Sequence, residues 1–177
     1  MTPFDHLHAP TLTLRRLRLA DAPAMFQRYA RDPEVTRYVS WAPHRGLDDT
    51  VDFLARIARA AERGRGFAYA ILPRGEAGLC GTIGFDVHGG TLTFGYVLAR
   101  SHWGRGVASA AFGALVGWAL AQPAVFRIEA YCRPENRGSA RVMEKCGLAY
   151  EGLIRRHAVY PNLSAEPLDS LLYARVR

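Results

Sequence analysis

Two glycines separated by one residue, Gly104 and Gly106, stand between a predicted strand and a predicted helix. The strand covers Thr91 to Leu98, and an apolar helix follows the glycines to about Ala121. Glycine lets backbone N–H groups approach a ligand closely, and a helix N-terminus carries a partial positive charge. The segment therefore predicts an anion site of the kind that binds a pyrophosphate.

The spacing of this turn matches neither of the common phosphate-binding loops. A Walker loop needs lysine and a hydroxyl residue after its last glycine, where this chain has Val107 and Ala108. A dinucleotide fingerprint needs glycine or alanine where Ser109 stands, and an acidic residue where the next strand ends at Cys132. These differences argue against a kinase, an ATPase or a nicotinamide enzyme. Taken alone, the turn is also compatible with an ordinary chain reversal.

A second group of polar residues follows the next predicted strand. Asn136 and Ser139 open a helix that ends in Glu144-Lys145-Cys146-Gly147. Asn136 is typical of a helix N-cap, and capping alone is as good an explanation for it as ligand binding. Ser139 is equally compatible with simple packing near a helix start.

Hydrophobic periodicity predicts the elements that position these two groups. The predicted elements are a strand over Thr11–Leu19, a helix capped by Asp21 to about Arg31, a helical turn over Pro33–Val39, a helix from Asp48 or Asp49 to Gly64, strands over Phe67–Leu72, Leu79–Val87 and Thr91–Leu98, the helix to Ala121, a strand over Phe126–Cys132, a helix over Glu135–Cys146, and strands over Leu148–Ala158 and Leu168–Val176. Short turns between the three central strands indicate an antiparallel meander. The helix between Leu98 and Phe126 requires a crossover, so the strands that flank it are predicted to be parallel.

The predicted fold class is therefore α+β with a mixed sheet, in one domain over residues 1–177. Folding is expected throughout except near Met1 to Ala9, where His6-x-His8 is expected to lie in a mobile tail rather than in a metal site. No segment is apolar and long enough for a membrane span, and no secretion signal is recognisable, so the cytoplasm is the expected compartment.

The charge and cysteine content narrow the possible partners. The net charge is +7, almost all of it from arginine, and Lys145 is the only lysine. The arginines are scattered and not interleaved with stacking aromatics, which makes nucleic-acid binding an unfavoured alternative. Three cysteines without metal or redox spacing predict reduced thiols and no metal site.

The motifs, in this order and spacing, resemble the GNAT superfamily of N-acetyltransferases, in particular its RimJ/RimL type. The matching segments are Trp103-Gly-Arg-Gly-Val-Ala108, Asn136-x-x-Ser139 before Glu144-Lys145-x-Gly147, Leu14–Arg18 with Asp21-Ala22, Asp32–Val35 and Cys80–Phe85. The resemblance covers almost the whole chain. It implies the GNAT acyl-CoA N-acyltransferase fold, in which a central, mostly antiparallel sheet has parallel fourth and fifth strands that splay apart and is flanked by helices.

The resemblance also implies acetyl-CoA as co-substrate and assigns its contacts. The implied cofactor-binding residues are Tyr96, Val97, Leu98, Trp103, Gly104, Arg105, Gly106, Val107, Ala108, Ser109 and Asn136. Backbone groups of Tyr96 to Leu98 would pair with the pantetheine arm, and N–H groups of residues 104–109 would bind the pyrophosphate. The strands would separate beyond Leu98, which leaves its N–H free to bind the thioester oxygen.

Two catalytic residues are implied, Ser139 and Glu129. Ser139 would assist the leaving thiolate, because Met143 occupies the place of the tyrosine acid that many relatives carry. Glu129 would act as the base, although an ion pair with Arg127 is an alternative role. Thr93 stands where many relatives have an acid, and the fallback bases are Asp86, His88 and His157.

The predicted function is direct acetyl transfer from acetyl-CoA to a primary amine in a ternary complex. A protein N-terminal α-amine is the acceptor that the RimJ/RimL resemblance favours, and Trp41 is a candidate to line its site. A small amine such as an amino acid, a polyamine or an aminoglycoside is an alternative acceptor. A non-catalytic acyl-CoA-binding protein remains a further alternative, and a homodimer is expected from the family.

Overall fold

The protein, described here by a computed structural model over residues 3–177, forms one mixed sheet with helices on both faces. Its strands are β1 (His6–His8), β2 (Leu12–Arg16), β3 (Gly66–Pro73), β4 (Gly81–His88), β5 (Thr91–Leu98), β6 (Arg127–Cys132), β7 (Ala149–Val159) and β8 (Pro167–Val176). Its helices are α1 (Ala22–Met25), α2 (Pro33–Thr36), α3 (Leu47–Glu62), α4 (Val107–Leu120) and α5 (Arg137–Lys145). No helix among residues 3–177 combines the length and apolarity that crossing a membrane requires.

The strand order β1-β2-β3-β4-β5-β6-β8-β7 confirms the predicted α+β class. Every neighbouring pair is antiparallel except β5 and β6, which are parallel. These two are the fourth and fifth strands of the sequence prediction, and α4 is the crossover helix between them. The sheet therefore has the arrangement expected of the GNAT fold.

The strand β1 contradicts part of the sequence prediction, because the segment Met1 to Ala9 was expected to be unfolded and His6–His8 forms a strand. This strand adds to the edge of the sheet by antiparallel pairing with β2, and Leu7 lies opposite Leu14. Leu7 packs against the main core, and the His8 ring nitrogen Nδ1 lies 3.1 Å from Thr13 Oγ1. Met1 and Thr2 lie outside the described residues.

The first helical segment keeps its predicted extent but differs in detail. α1 continues as a π-helical turn over Phe26–Ala30 that ends at Arg31, and Asp21 is the N-cap residue but makes no side-chain capping bond. The Asp21 carboxylate instead accepts two hydrogen bonds from the Arg15 guanidinium, at 2.7 and 2.8 Å, and one from the Arg18 N–H. Asp21 thereby fixes the turn from β2 into α1.

Two hydrophobic cores lie on opposite faces of the sheet. On one face, α4 and α5 pack against alternate residues of the central strands, including Phe85, Phe94 and Ile128. On the other face, α1 and α3 pack against residues such as Ala70 and Val97. Because side chains alternate between faces along a strand, a one-residue step along β5 changes the face that a side chain reaches. The two halves of the site are built on this alternation.

Candidate active site

The parallel strands separate earlier than the resemblance implied. Paired residues run only from Thr91 opposite Arg127 to Phe94 opposite Ala130. The strands were expected to stay together as far as Leu98, so the expected position of the opening is wrong by four residues. From Gly95 onward, β5 keeps its pairing with β4 but has lost β6 as a neighbour.

The gap exposes backbone polar groups of β5. The Ala99 N–H donates to Cys80 O at 2.8 Å, which makes these two residues a hydrogen-bonded pair with β4. Since hydrogen-bonded and non-hydrogen-bonded pairs alternate in an antiparallel ladder, Val97 also bonds to β4, whereas Tyr96 and Leu98 direct their N–H and C=O groups into the gap. An extended ligand can therefore pair with Tyr96 and Leu98 as an added strand.

Trp103 occupies part of this edge. Its indole Nε1 donates to the Leu98 carbonyl oxygen at 2.7 Å, while 48% of the residue stays exposed. This hydrogen bond satisfies the Leu98 carbonyl group, whereas the Leu98 N–H has no partner on β4. Trp103 thus lies beside the gap, and its role in cofactor binding stays a prediction.

The glycine turn forms the entrance to α4. Gly104 and Gly106 have φ angles of 71° and 77°, in the left-handed region that favours glycine. A Cβ built on either residue would meet nothing within 4 Å, so the space beside the turn is open. No side chain caps α4, and no acidic residue lies in its first turn. The first N–H groups of the helix, on Val107, Ala108 and Ser109, are therefore available to an anion, with the favourable sign of the helix dipole.

A carboxylate from the β3–β4 connection fixes this loop. Glu76 contacts the His102 ring at 2.8 Å and the Arg105 guanidinium at 2.7 Å. These two hydrogen bonds hold the pKa of Glu76 below its ordinary value. Arg105 also reaches the Ser101 carbonyl at 3.4 Å, so its charge is held beside the loop by Glu76.

Asn136 caps α5, as one of its two predicted roles required. Its Oδ1 accepts from the Ser139 N–H at 3.2 Å, and both residues line the cavity between the strands. The Ser139 hydroxyl lies beside the Tyr96 hydroxyl. Burial raises the pKa of Tyr96 and the Ser139 hydroxyl partly opposes that rise. Ser139 and Tyr96 thus bring two neutral hydroxyl groups to the gap.

Sequence reasoning missed two basic residues on α5. Arg141 and Lys145 lie one helical turn apart, line the same cavity and are exposed. Neither side chain makes a hydrogen bond or ion pair with residues 3–177. The spacing i, i+4 on a predicted helix that starts beside the gap was the signal available in the sequence.

On the face of the sheet opposite α4 and α5, three neighbouring residues have small side chains or none. Ala68, Gly84 and Gly95 lie side by side on β3, β4 and β5. A Cβ on Gly95 would meet nothing within 4 Å, whereas a Cβ on Gly84 would lie 2.5 Å from the Phe67 carbonyl oxygen. The surface above Gly95 is therefore open.

Glu129 lies in a polar network on this face and is absent from the cavity lining. Its carboxylate accepts from Arg127 Nε at 2.9 Å, Tyr131 OH at 2.8 Å and Thr93 Oγ1 at 3.1 Å. Burial raises the pKa of Glu129, but these three donors outweigh burial and leave it below the ordinary value. Arg127 also bonds to Glu151. The ion pair with Arg127 weighed from the sequence is thus present, and a base role for Glu129 stays a prediction.

The fallback bases differ in their surroundings. Asp86 lines the cavity and makes no hydrogen bond or ion pair with any described side chain. His157 also lines the cavity, and its ring stacks on Tyr131 with centroids 4.4 Å apart. His88 lies two residues beyond Asp86, at the exposed end of β4.

An aromatic wall closes part of this side. The Trp41 ring lies 4.9 Å from His44 and 6.0 Å from Phe53, and all three residues line the cavity. His44 Nδ1 is 2.7 Å from Thr50 Oγ1, and burial lowers the pKa of His44. Asn162 Nδ2 donates to the Trp41 carbonyl, so Trp41 both anchors its loop and lines the site.

Tyr29 is a further polar group that the sequence did not reveal. The residue is 1% exposed and lies on the cavity wall, and its hydroxyl lies near Thr82 without making a hydrogen bond of good geometry to any described residue. A buried hydroxyl without a partner costs free energy, so a ligand atom that bonds to it would be stabilised.

One continuous cavity of about 960 Å³ connects these features. Residues from the α4/α5 face, such as Ser139, and residues from the opposite face, such as Asp86, line it together. The cavity therefore passes through the sheet where β5 and β6 separate. Two substrates can approach the same point from opposite faces.

The acetyltransferase (GNAT) domain family matches residues 11–149, which is most of the chain. The chain belongs to the GNAT acetyltransferase family.

The uncharacterised N-acetyltransferase p20 of Bacillus licheniformis is 34% identical over 154 residues, which is 85% of this chain and 86% of that protein. Among solved structures, RimJ of Mycobacterium smegmatis in complex with CoA-disulfide is 26% identical with a TM-score of 0.83, and 97% of this chain and 85% of that chain are covered. RimL, the ribosomal L7/L12 α-N-protein acetyltransferase in complex with coenzyme A, has a TM-score of 0.85 at 22% identity, with 97% of each chain covered. These likenesses support an acyltransferase enzyme with the RimL-like fold.

Solved structures of this fold, RimL and RimJ, are complexes with coenzyme A and with CoA-disulfide. Positive-φ glycines with open space beside them and an uncapped helix N-terminus have the shape and charge that a pyrophosphate requires. The residues present therefore fit the co-substrate.

Proposed function

We propose that this GNAT enzyme transfers the acetyl group of acetyl-CoA directly to a protein N-terminal α-amine, within a ternary complex. The observation that carries the proposal is the cavity through the sheet, which lets donor and acceptor meet from opposite faces. Direct transfer needs both substrates in place at once, and holding them in the reacting geometry removes a large part of the entropic barrier.

On the donor side, the backbone of Tyr96 and Leu98 would pair with the pantetheine arm. Gly104 to Ser109 would bind the pyrophosphate, and exposed Arg141 and Lys145 would add positive charge for the remaining phosphate. An N–H in the gap, at Leu98 or Tyr96, would donate to the thioester oxygen as negative charge develops on it. One such donor is worth about 2.7–4 kcal/mol in other acyl transfers.

The Ser139 hydroxyl is the proposed proton donor to the leaving thiolate. Met143 is buried in the core and has no proton to donate, so the acid must come from elsewhere. Ser139 lies at the start of α5 with its N–H already bonded to Asn136, which fixes its position without using the hydroxyl. Tyr96 stands next to it as a second neutral hydroxyl.

The cysteines support direct transfer over an acyl-enzyme. Burial raises the pKa of Cys132 to about 11, and burial also raises the pKa of Cys146. Both thiols are therefore protonated near neutral pH, and the thiol is a poor nucleophile compared with the thiolate. Cys146 Sγ is in addition 3.4 Å from the Ser109 carbonyl oxygen.

An α-amine is favoured over a lysine side chain by its acidity. An α-amino group has a pKa near 7.7–8.0 and lysine near 10.4, so freeing the α-amine at neutral pH costs about 3 kcal/mol less. The net charge of +7 disfavours a polycationic acceptor. The similarity to RimJ, and the folds of proteins named as modifying a ribosomal N-terminal serine, agree with a protein N-terminus.

A small amine is the second candidate acceptor. The wall of Trp41, His44 and Phe53 could enclose a small apolar amine as well as a peptide side chain. The homodimer and the cytoplasmic location expected from the sequence stay predictions.

Mass spectrometry of acceptor mixtures tests the proposal. Wild-type protein and acetyl-CoA would be incubated with hexapeptides that carry a free N-terminal serine, alanine or methionine, and with a panel of amino acids, polyamines and aminoglycosides. The proposal predicts acetylated peptides, with no product from peptides whose N-terminus is blocked. Faster acetylation of a small amine than of every peptide would contradict the protein acceptor.

A further inference from the structure

Asp86 lies in a row of residues that crosses the acceptor face at the point where the strands part. Gly66, Asp86, Thr93 and Glu129 are neighbours on β3, β4, β5 and β6, and paired residues share a face of the sheet. The row lies one residue before the last β5–β6 pair, Phe94 with Ala130. Asp86 therefore lies one strand away from the opening, next to Thr93.

Asp86 is the acidic side chain of the cavity that has no hydrogen-bonded or ion-paired partner among residues 3–177. Of the residues 3–177 that line the cavity, Glu34 and Asp86 are acidic, and Glu34 is bonded to Arg100. Glu129, farther along the row, has three donors of its own. The carboxylate of Asp86 makes no such contact, so a cation that enters the cavity finds its partner there.

Asp86 is also within reach of the reacting point. Gly84 lies two residues before Asp86 on β4, and Gly95 is the neighbour of Gly84 on β5. Because both are glycines, no side chain covers the sheet between Asp86 and the gap at these two positions. Gly95 lies two residues along and one strand across from Asp86, so about 6.8 Å along the strand and about 4.8 Å between strands combine to about 8 Å. An aspartate side chain that makes a charge-assisted bond of about 2.8 Å to an ammonium group covers most of this distance. The amine would then lie over Gly95, beside the Tyr96 backbone that faces the gap.

We propose that the carboxylate of Asp86 binds the acceptor ammonium group and takes its proton before transfer. The N–H bond breaks, the proton moves to Asp86 Oδ, and the freed nitrogen lone pair attacks the thioester carbon. The carbon–sulfur bond then breaks, the thiolate takes the hydroxyl proton of Ser139, and the second proton lost by the attacking nitrogen returns to the Ser139 oxygen. The products are the amide and the CoA thiol, and one proton is released to solvent when Asp86 ionises again.

The electrostatic surroundings agree with this role. Asp86 is exposed, but its partial desolvation in the cavity raises its pKa, and the positive potential of His88 on the same strand partly opposes the rise. On the neighbouring strands, Gly66 and Thr93 carry no charge, and the charge of Glu129 is offset by Arg127. A carboxylate with a raised pKa is a stronger base, and a positioned base contributes about 10²–10⁴-fold to rate.

Asp86→Asn tests the proposal, with Asp52→Asn as the matched control. Asp52 is exposed on α3, lies off the cavity and has no bonded partner among the described residues. Thiol release from acetyl-CoA would be measured with the N-terminal serine hexapeptide and with the small-amine panel. The variants are then compared on the acceptor that the wild type uses best.

The expected result is a fall in kcat/KM of at least about 100-fold for Asp86→Asn, with unchanged acetyl-CoA affinity and unchanged kinetics for Asp52→Asn. The rate of Asp86→Asn should also recover as pH rises toward the pKa of the free amine, about 7.7–8.0 for an α-amine, because solvent then removes the proton. Wild-type kinetics for Asp86→Asn, or a larger loss for Glu129→Gln at equal stability, would overturn the assignment.

The inference rests on transfer to a primary amine and not on the identity of that amine. If a small amine is the acceptor and Asp86→Asn still fails, the proposed protein substrate is wrong and the role of Asp86 stands. If the peptide is acetylated equally well by wild type and by Asp86→Asn, the protein acceptor stands and the role of Asp86 is wrong. A wild-type protein that acetylates no amine of the panel would overturn both.

Discussion

Replacing Gly106 with valine would separate the role of this glycine in folding from its role in binding. Gly106 is the residue before α4 and has a φ of 77°. A Cβ there would meet no protein atom within 4 Å, so backbone strain is the main cost that we expect a valine to add to the fold. The same side chain would project into the open space that a pyrophosphate would fill.

The two effects have different magnitudes. A non-glycine residue in the left-handed region costs about 1–3 kcal/mol, which lowers Tm by about 2–4 °C for each kcal/mol in a chain of this size. Blocking the phosphate removes charge-assisted hydrogen bonds worth about 1.5–3 kcal/mol each. The loss of two such bonds weakens acetyl-CoA binding by about 10²–10⁴-fold. Binding should therefore collapse in a protein that is still folded.

Gly89→Val is the matched control. Gly89 lies in the β4–β5 turn with a φ of 61°, has nothing within 4 Å of a built Cβ, and does not line the cavity. Both variants would be compared by calorimetric titration with acetyl-CoA and by thermal unfolding. We expect similar losses in Tm, but a loss of acetyl-CoA affinity in Gly106→Val only. Affinity within about threefold of wild type in folded Gly106→Val would refute the phosphate-site assignment.

Four further variants test other parts of the account. Gly95→Val should fold normally and bind acetyl-CoA, but should raise the acceptor KM at least tenfold. Gly84→Val should lower Tm, because its Cβ would collide with the Phe67 carbonyl oxygen. Equal Tm values for the two variants would contradict this difference. Ser139→Ala should lower kcat with little change in acetyl-CoA affinity, and full turnover would remove the hydroxyl from the mechanism. Asp21→Asn should destabilise the fold by about 3 kcal/mol, because it leaves the partly buried Arg15 guanidinium unpaired.

The low pKa of Asp21 predicts how the free energy of unfolding changes with pH. Burial opposes ionisation of Asp21, but hydrogen bonds from Arg15 and the Arg18 N–H outweigh it and hold the pKa below the ordinary value. A lowered pKa in the folded state means that the stabilisation is complete above about pH 4 and is lost as pH falls further. Urea unfolding between pH 5 and pH 2 should therefore show a steeper acid loss in wild type than in Asp21→Asn. Parallel curves would contradict this linkage.

The bounds of elements with a strong hydrophobic periodicity could be predicted from the sequence. Strand β5 has the predicted bounds, Thr91–Leu98, and α4 ends one residue from its predicted end. Their alternation and apolar content leave little choice of conformation. The parallel pairing of β5 and β6 followed from the length of the crossover, so it could be predicted without any contact information.

The remaining differences arise from tertiary contacts. Asp21 precedes a proline-containing segment like an N-cap, but Arg15 on β2 competes for its carboxylate. His6–His8 lacks a strand signal of its own and is ordered by the edge of β2. Where β5 and β6 separate, and which carboxylate of the polar row is left without a partner, depend on pairing register. A single sequence does not encode register in a readable pattern.

The central claim, that the cavity brings donor and acceptor together through the sheet, is tested most directly by two-substrate initial-velocity kinetics. Acetyl-CoA would be varied at several fixed concentrations of the acceptor that the wild type acetylates best. Direct transfer in a ternary complex predicts double-reciprocal lines that intersect. Parallel lines, together with an acetylated protein isolated after incubation with acetyl-CoA alone, would show an acyl-enzyme and contradict the account.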